Sequence, residues 1–131
     1  MINDSLSDFL IRLKNASAVR KPSVSIPFSK LKFEIAALLA EEGFIKAVER
    51  RGKKVKKTLD LTLQYGENRE PGVLGVERIS RLGKRVYLKR TDLKPVRYGQ
   101  GLLVLSTPKG IMTDRRAREE HIGGEALFKI W

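Results

Sequence analysis

Apolar residues recur at helical spacing in two segments near the start of the chain. The first carries them at the i, i+3, i+4 and i+7 positions of one helix face, namely Leu6, Phe9, Leu10 and Leu13. The second begins after Ser29, a good N-cap residue, and ends at Gly43, the residue type that most often stops a helix. Its predicted inward-facing residues are Leu31, Ile35, Leu38 and Leu39. The pattern therefore predicts two amphipathic helices.

Shorter apolar stretches predict strands between and after these helices. Val24 and Ile26 alternate with serines, and Pro27 limits that strand. Residues 44–48 and 59–63 are predicted as two further strands joined by a hairpin. The first half of the chain is therefore expected to place two helices on a small antiparallel sheet.

The pattern changes at residues 65–72, where glycine, proline and charged residues replace the periodic apolar positions and predict a linker. Beyond it the chain is mainly β, with one short helix at residues 114–120 capped by Thr113. The predicted strands are residues 76–79, 85–88, 102–107 and 125–131. We therefore expect an α+β fold of two small, tightly packed domains, residues 1–66 with the helices and residues 67–131 rich in β structure.

Charge narrows the choice of partner. The chain has 27 Lys and Arg against 15 Asp and Glu, a net charge of +12, which is typical of a protein that binds a polyanion. A membrane surface is the rival, but no apolar run approaches the roughly 18 residues of a spanning helix. The N-terminus also lacks the pattern of a signal peptide, so we expect a cytoplasmic protein without membrane contact.

Ser106, Thr107, Lys109 and Gly110 follow the apolar run of residues 102–105 and are expected to form a rigid loop where the predicted strand ends. Two hydroxyls, an ammonium and an unobstructed backbone at one turn suit contact with phosphate, ribose hydroxyls and base edges together. This combination favours nucleic acid, and RNA in particular.

Two further basic segments precede this region in the sequence. Residues 78–97 carry eight Lys or Arg, including Arg85 and Lys89, against Asp92 alone, which favours phosphate contact. The hairpin at residues 46–57 carries seven Lys or Arg and one Glu, and both a solvated turn and phosphate contact stay open for it. Tyr87 suits either stacking on a base or a place in the core, and the core is favoured for a tyrosine in a strand.

The chemistry needed for catalysis or a metal is lacking in the sequence. There is no Cys and only one His, His121, beside glutamates at a predicted helix end. No glycine-rich segment has the spacing of a phosphate or dinucleotide loop. We expect no catalytic activity, no cofactor and no metal.

An acidic residue, Glu125, follows Gly123 and Gly124 just before the last predicted strand. In so basic a chain, a carboxylate at such a turn is expected to orient a positive or hydroxyl group. Pairing of the last strand with the strand that contains residues 102–105 would bring Glu125 to the predicted loop at residues 106–110. Lys109 or a hydroxyl of Ser106 or Thr107 is its predicted partner there.

Taken together, these motifs resemble the family of bacterial small-subunit ribosomal protein eight over nearly the whole chain. The matching segments are Asp8 to Ala16, Glu42-Gly43-Phe44-Ile45, Ile79-Ser80, Arg85-Val86-Tyr87, Leu105 to Asp114, Ala117-Arg118 and Gly123-Gly124-Glu125. The resemblance implies two associated domains, α/β and β-rich, and a primary binder of the central domain of 16S ribosomal RNA that helps assemble the platform. It also implies contacts with small-subunit proteins five and twelve and, in some bacteria, repression of the protein's own operon through an mRNA that mimics the ribosomal site.

By position, the resemblance assigns RNA contact to the loop at residues 106–110, with Glu125 beside it. It assigns contact with the RNA backbone to Lys30 and Lys32 at the start of the second helix. Lys14, on the polar face of the first helix, joins the candidate contacts. Pro108 departs from the family, which usually has a serine there, and proline lacks both a hydroxyl and a backbone donor.

Two other functions compete with this interpretation. A non-ribosomal RNA-binding protein or translational repressor would share the basic surface, and co-sedimentation with small subunits would separate it from a ribosomal protein. An RNA-processing enzyme would need turnover of RNA, which no residue pattern favours.

Overall fold

A computed structural model describes residues 5–52, 56–96 and 101–131. These fall into two compact units, Ser5–Leu74 and Gly75–Trp131. The tip of the basic hairpin at residues 53–55 and the cation Arg97 lie outside the described residues.

The first unit places two helices against a three-stranded antiparallel sheet in the order β1-β3-β2. Its elements are α1 (Ser5–Ala18), β1 (Ser23–Pro27), α2 (Lys30–Glu41), β2 (Ile45–Arg51) and β3 (Thr58–Leu63). The four apolar residues predicted to face inward from the first helix are all buried on α1. Helical spacing of apolar residues was therefore sufficient to predict both the helix and its buried face.

Helix α2 begins and ends where the sequence predicts, but its buried face differs. The hydroxyl of Ser29 accepts a hydrogen bond from the backbone N–H of Lys32, and Gly43 has a φ of +85° after the last turn. Leu31 is 42% exposed, and Leu38 is only half-buried. The buried residues are Lys32, Ile35, Ala36 and Leu39. The prediction of an inward Leu31 was wrong because the buried stripe follows i, i+3, i+4, i+7 from Lys32, one position further on.

The second unit is a five-stranded antiparallel sheet with one short helix. Its elements are β4 (Val76–Arg78), β5 (Tyr87–Leu88), β6 (Leu102–Thr107), β7 (Gly110–Thr113), α3 (Asp114–Glu119) and β8 (Gly124–Ile130), with a 3₁₀ turn at Arg90–Asp92. The strands follow the order β4-β8-β6-β7, and β5 also pairs with β8. The α+β fold predicted from the sequence, helical first and β-rich second, is confirmed.

Strand β7 is the element that the sequence interpretation missed. Residues 106–110 were expected to form a loop at the end of the strand, but Thr107 pairs with Gly110 and Ser106 with Ile111 in register. Only Pro108 and Lys109 lie at the turn. A two-residue connection between paired strands is a β-hairpin, so this segment is rigid because both of its sides belong to the sheet.

A buried carboxylate, Asp114, ties α3 to the sheet. Its Oδ1 accepts the backbone N–H of Leu103 at 3.1 Å, and its Oδ2 accepts from Arg118 at 2.6 Å. Thr113 caps the helix, as predicted, by accepting the backbone N–H of Arg116. Helix and sheet enclose a core that includes Leu105, Met112 and Ala126. This core fixes β6 and β8, the strands that present the candidate RNA contacts.

Candidate nucleic-acid interface

The tip of the β6–β7 hairpin presents Pro108, Lys109 and Gly110, all of which are exposed. Pro108 opens the turn, where its fixed φ suits the first central position of a β-turn. Gly110 has a φ of +114°, a conformation that other residues adopt only with strain, and a side chain added there would meet open space. Glycine is therefore required by the turn, and it also leaves the backbone accessible from outside.

The two hydroxyls beside the tip differ in their hydrogen bonding. Thr107 Oγ1 donates to the carbonyl of Gly110 at 2.8 Å and accepts the backbone N–H of Lys109 at 3.1 Å. Within the described residues, the Ser106 hydroxyl makes no hydrogen bond, and the Lys109 ammonium makes no ion pair. Thr107 therefore holds the turn, whereas Ser106 and Lys109 keep their bonding capacity for a ligand.

Three candidate residues form a row across neighbouring strands. Ser106 on β6 pairs with Glu125 on β8, and Glu125 pairs in turn with Tyr87 on β5. Directly opposed residues of antiparallel strands project from the same face of a sheet. A hydroxyl, a carboxylate and an aromatic ring therefore share one face beside the hairpin tip.

Tyr87 is 70% exposed, so the sequence interpretation that favoured a core position was wrong. Its neighbours Val86 and Leu88 pack against the core instead. Side chains alternate between the two faces along a strand, and Tyr87 therefore points away from the core that its neighbours fill. A largely exposed ring on a basic protein is available for stacking.

Glu125 pairs with Arg85 and not with the predicted partners. Arg85 Nη1 lies 3.3 Å from Glu125 Oε2, with side-chain exposures of 45% and 18%. The hypothesis that Glu125 orients Lys109 or a nearby hydroxyl was therefore wrong about the partner, although the predicted pairing of the two strands is confirmed. The ion pair places Arg85 beside the row and offsets the one negative charge on it.

Gly123 and Gly124 allow close approach of backbones at this row. A side chain on Gly124 would collide with the carbonyl oxygen of Ser106, and one on Gly123 with that of Leu88. Neither glycine has a positive φ. They are needed because neighbouring strands pass close by, which brings β5 and β6 to either side of Glu125.

The segment before Tyr87 is held by Ser80, which is fully buried. Its hydroxyl accepts the backbone N–H of Val86 at 2.9 Å, closing the turn between them. Sequence reasoning did not identify this role, although Ile79-Ser80 is one of the segments in which the chain resembles the family. Further along, the Lys89 backbone N–H donates to Asp92 at 3.0 Å, while the Lys89 side chain is exposed.

Three candidate lysines lie in the other compact unit. Lys14 on α1 and Lys30 on α2 are exposed, whereas Lys32 is 7% exposed because it belongs to the buried stripe of α2. Across residues 5–52, 56–96 and 101–131, no group of three potential metal ligands is found, and none of the helices there has the length and hydropathy to cross a membrane.

The chain is similar along nearly its whole length to proteins of one family. A sequence model of the family described as Ribosomal protein S8 matches residues 4–131. The Small ribosomal subunit protein uS8 of Solibacter usitatus is 44% identical over 131 residues, which cover 100% of both chains. That of Rippkaea orientalis is 48% identical over 130 residues, covering 98% of each chain. The corresponding protein of Desulfitobacterium hafniense is 46% identical over 130 residues, covering 99% of this chain and 98% of the relative.

Both kinds of comparison span essentially the whole chain, so the relationship includes the hairpin tip, the row on the sheet and the two helices of the first unit. The chain belongs to the ribosomal protein S8 family.

Proposed function

We propose that this chain is a non-catalytic structural protein of the small ribosomal subunit that binds the central domain of 16S ribosomal RNA and helps assemble the platform. Family membership supports the ribosomal structural role. The observation that carries the RNA contact is the row of Ser106, Glu125 and Tyr87 beside the exposed tip at Lys109 and Gly110.

Each group in this interface suits a different part of an RNA. Double-stranded RNA hides its base edges in a narrow groove, so selectivity comes from irregular stems, exposed bases and 2′-hydroxyls. The free Ser106 hydroxyl and the unobstructed backbone at Gly110 suit such edges, and the Tyr87 ring suits stacking. Glu125 can accept a hydrogen bond from a ribose hydroxyl through Oε1, the carboxylate oxygen that Arg85 does not contact.

Cations at the interface and in the other unit would hold the register by contacting phosphates, which are sequence-independent partners. The proposed phosphate contacts are Lys14, Lys30, Lys32, Arg85, Lys89 and Lys109. Only a small part of Lys32 reaches the surface, so its contribution is proposed to come from the end of a buried stem.

The finer partners belong to the same proposal. Small-subunit proteins five and twelve would contact the chain within the cytoplasmic ribosome, and an mRNA from its own operon that mimics the ribosomal site would use the same interface. A translational repressor outside the ribosome is the competing function. Stoichiometric co-sedimentation with small subunits supports the ribosomal role, and its absence would favour the repressor.

Lys109→Ala tests the interface. The variant is expected to weaken binding to a central-domain RNA fragment by on the order of 1 to 3 kcal/mol, because a charge-assisted contact is lost. Folding should be preserved, since the exposed Lys109 side chain makes no contact that the core needs. Titration with the fragment and thermal unfolding measure the two effects. Lys21→Ala, which removes another exposed lysine, is the matched control, and wild-type affinity of folded Lys109→Ala would contradict the proposal.

A further inference from the structure

A second concentration of positive charge lies in the first unit, around the ring of Phe28. The guanidinium of Arg50 lies 5.3 Å from the ring centroid, and the ammonium of Lys57 lies 5.8 Å from it. The ring of Phe33 stands 6.4 Å from that of Phe28, tilted by 45°. We call Arg50, Lys57 and Phe28 the cation cluster.

Backbone pairing fixes the members of the cation cluster in place. The Phe28 N–H donates to the carbonyl of Lys57 at 3.1 Å, extending the pairing of β1 with β3. On the other side of β3, Arg50 pairs directly with Leu59. Since Lys57 and Leu59 are two residues apart, Arg50 and Lys57 project from the same sheet face as the buried Leu59. The cluster therefore lies at the margin of the face that carries the core.

No acidic side chain among the described residues pairs with Arg50 or Lys57. The neighbouring Arg51 differs, because it lies 2.8 Å from Glu49 and 3.2 Å from Asp60. The hydrogen bonds that Arg51 donates to Glu49, and the negative charges of Glu49 and Asp60, raise the pKa of Arg51 above its usual value. Of these adjacent arginines on β2, Arg51 is paired with two acidic side chains, whereas Arg50 shares the Phe28 ring with a second cation, Lys57.

Two like charges near one ring repel each other, and cation–π attraction offsets only part of this repulsion. The N-terminus of α2, which carries partial positive charge, follows Phe28 closely in the chain and adds to the positive potential. The first turn of α2 contains Lys30 and Lys32 and no acidic residue. An anion between the two cation heads would relieve the repulsion, and the ring would hold both heads ready for it.

We propose that the cation cluster is a second RNA-binding site, which holds one backbone phosphate between Arg50 and Lys57. This site rests on the proposed function, because its anion is a phosphate of RNA. The site lies in the other compact unit from the hairpin tip and uses none of the residues of the tip. It assigns one side of the basic hairpin to phosphate contact and the side that carries Arg51 to solvent.

Arg50→Gln and Arg51→Gln form a matched pair, because each removes one guanidinium from neighbouring positions of β2. Affinity is measured across a range of salt for a central-domain RNA fragment and for a scrambled duplex of equal length. Arg50→Gln should flatten the log–log salt dependence by about one and weaken binding about fivefold near physiological salt, the share of one phosphate contact. Arg51→Gln should change both quantities little. Thermal unfolding confirms that each variant is folded.

Phe28→Leu tests the role of the ring while keeping both charges and the apolar bulk. It should weaken binding about two- to fivefold, the worth of an exposed cation–π contact. Equal salt slopes and affinities for Arg50→Gln and Arg51→Gln on both RNAs would overturn the proposal. Equal binding of the wild type to both RNAs would instead contradict the specificity of the proposed function, and the difference between the two arginine variants would still decide the cluster, since phosphate contact is independent of sequence.

Discussion

Ser106 and Thr107 stand side by side on β6, and their hydroxyls differ in how many hydrogen bonds they already make. Thr107 both donates and accepts within the turn, whereas the Ser106 hydroxyl makes no hydrogen bond within the described residues. Composition alone treats the two residues as equivalent RNA contacts. The structure separates them into a residue that shapes the hairpin and one that faces outward from the row with Glu125.

This difference predicts opposite effects of two conservative substitutions. Thr107→Val should lower the free energy of unfolding by about 1 to 2 kcal/mol, because both turn hydrogen bonds are lost. Ser106→Ala should leave stability nearly unchanged and weaken binding to the central-domain fragment by about 1 kcal/mol. Chemical denaturation and RNA titration of both variants measure the split. A destabilisation by Ser106→Ala as large as that of Thr107→Val would contradict the assignment.

At the level of secondary-structure elements, the sequence predicted those whose apolar residues mark the buried face. Helix α1 has apolar residues at helical spacing and strand β6 has a continuous apolar run, and the structure confirms both elements. Strand β7 was missed because it is four residues long, begins with glycine and follows a Pro-Lys turn instead of the Asn-Gly type that marks hairpins. The exposure of Tyr87 and the pairing of Glu125 with Arg85 depend on which strands become neighbours, which no local pattern contains.

The buried Asp114 is the clearest test of how the elements of the second unit are held together. Its carboxylate accepts a hydrogen bond from the backbone of β6 and forms an ion pair with the guanidinium of Arg118. Only 4% of the Asp114 side chain is exposed. Asp114→Ala should lower the free energy of unfolding by about 2 to 4 kcal/mol, since it leaves a buried N–H and a partly buried cation without a partner. Urea denaturation measures the loss.

Glu119→Ala is the control for this prediction, because Glu119 is an exposed carboxylate on the same helix. Removing it should change stability by no more than about 0.5 kcal/mol. Equal stability of the two variants would show that Asp114 does not join α3 to the sheet.

At the scale of the whole molecule, the net charge of +12 favours association with any RNA. Charge explains affinity and its decrease with salt, but it does not distinguish one RNA from another. Specificity in this account comes from a small uncharged set next to the cations, formed by the Ser106 hydroxyl, the Tyr87 ring and the backbone at Gly110.

The most direct test compares the affinity of the wild-type chain for a central-domain RNA fragment with that for a scrambled duplex of equal length, at one fixed salt concentration. Equal length keeps the phosphate contribution the same, so the ratio of dissociation constants reports recognition beyond charge. We expect the fragment to bind at least about 10³-fold more tightly, as specific nucleic-acid complexes do. Equal affinity for both RNAs would contradict the account, because the chain would then be a non-specific cationic binder and the interface at the hairpin tip would have no role in recognition.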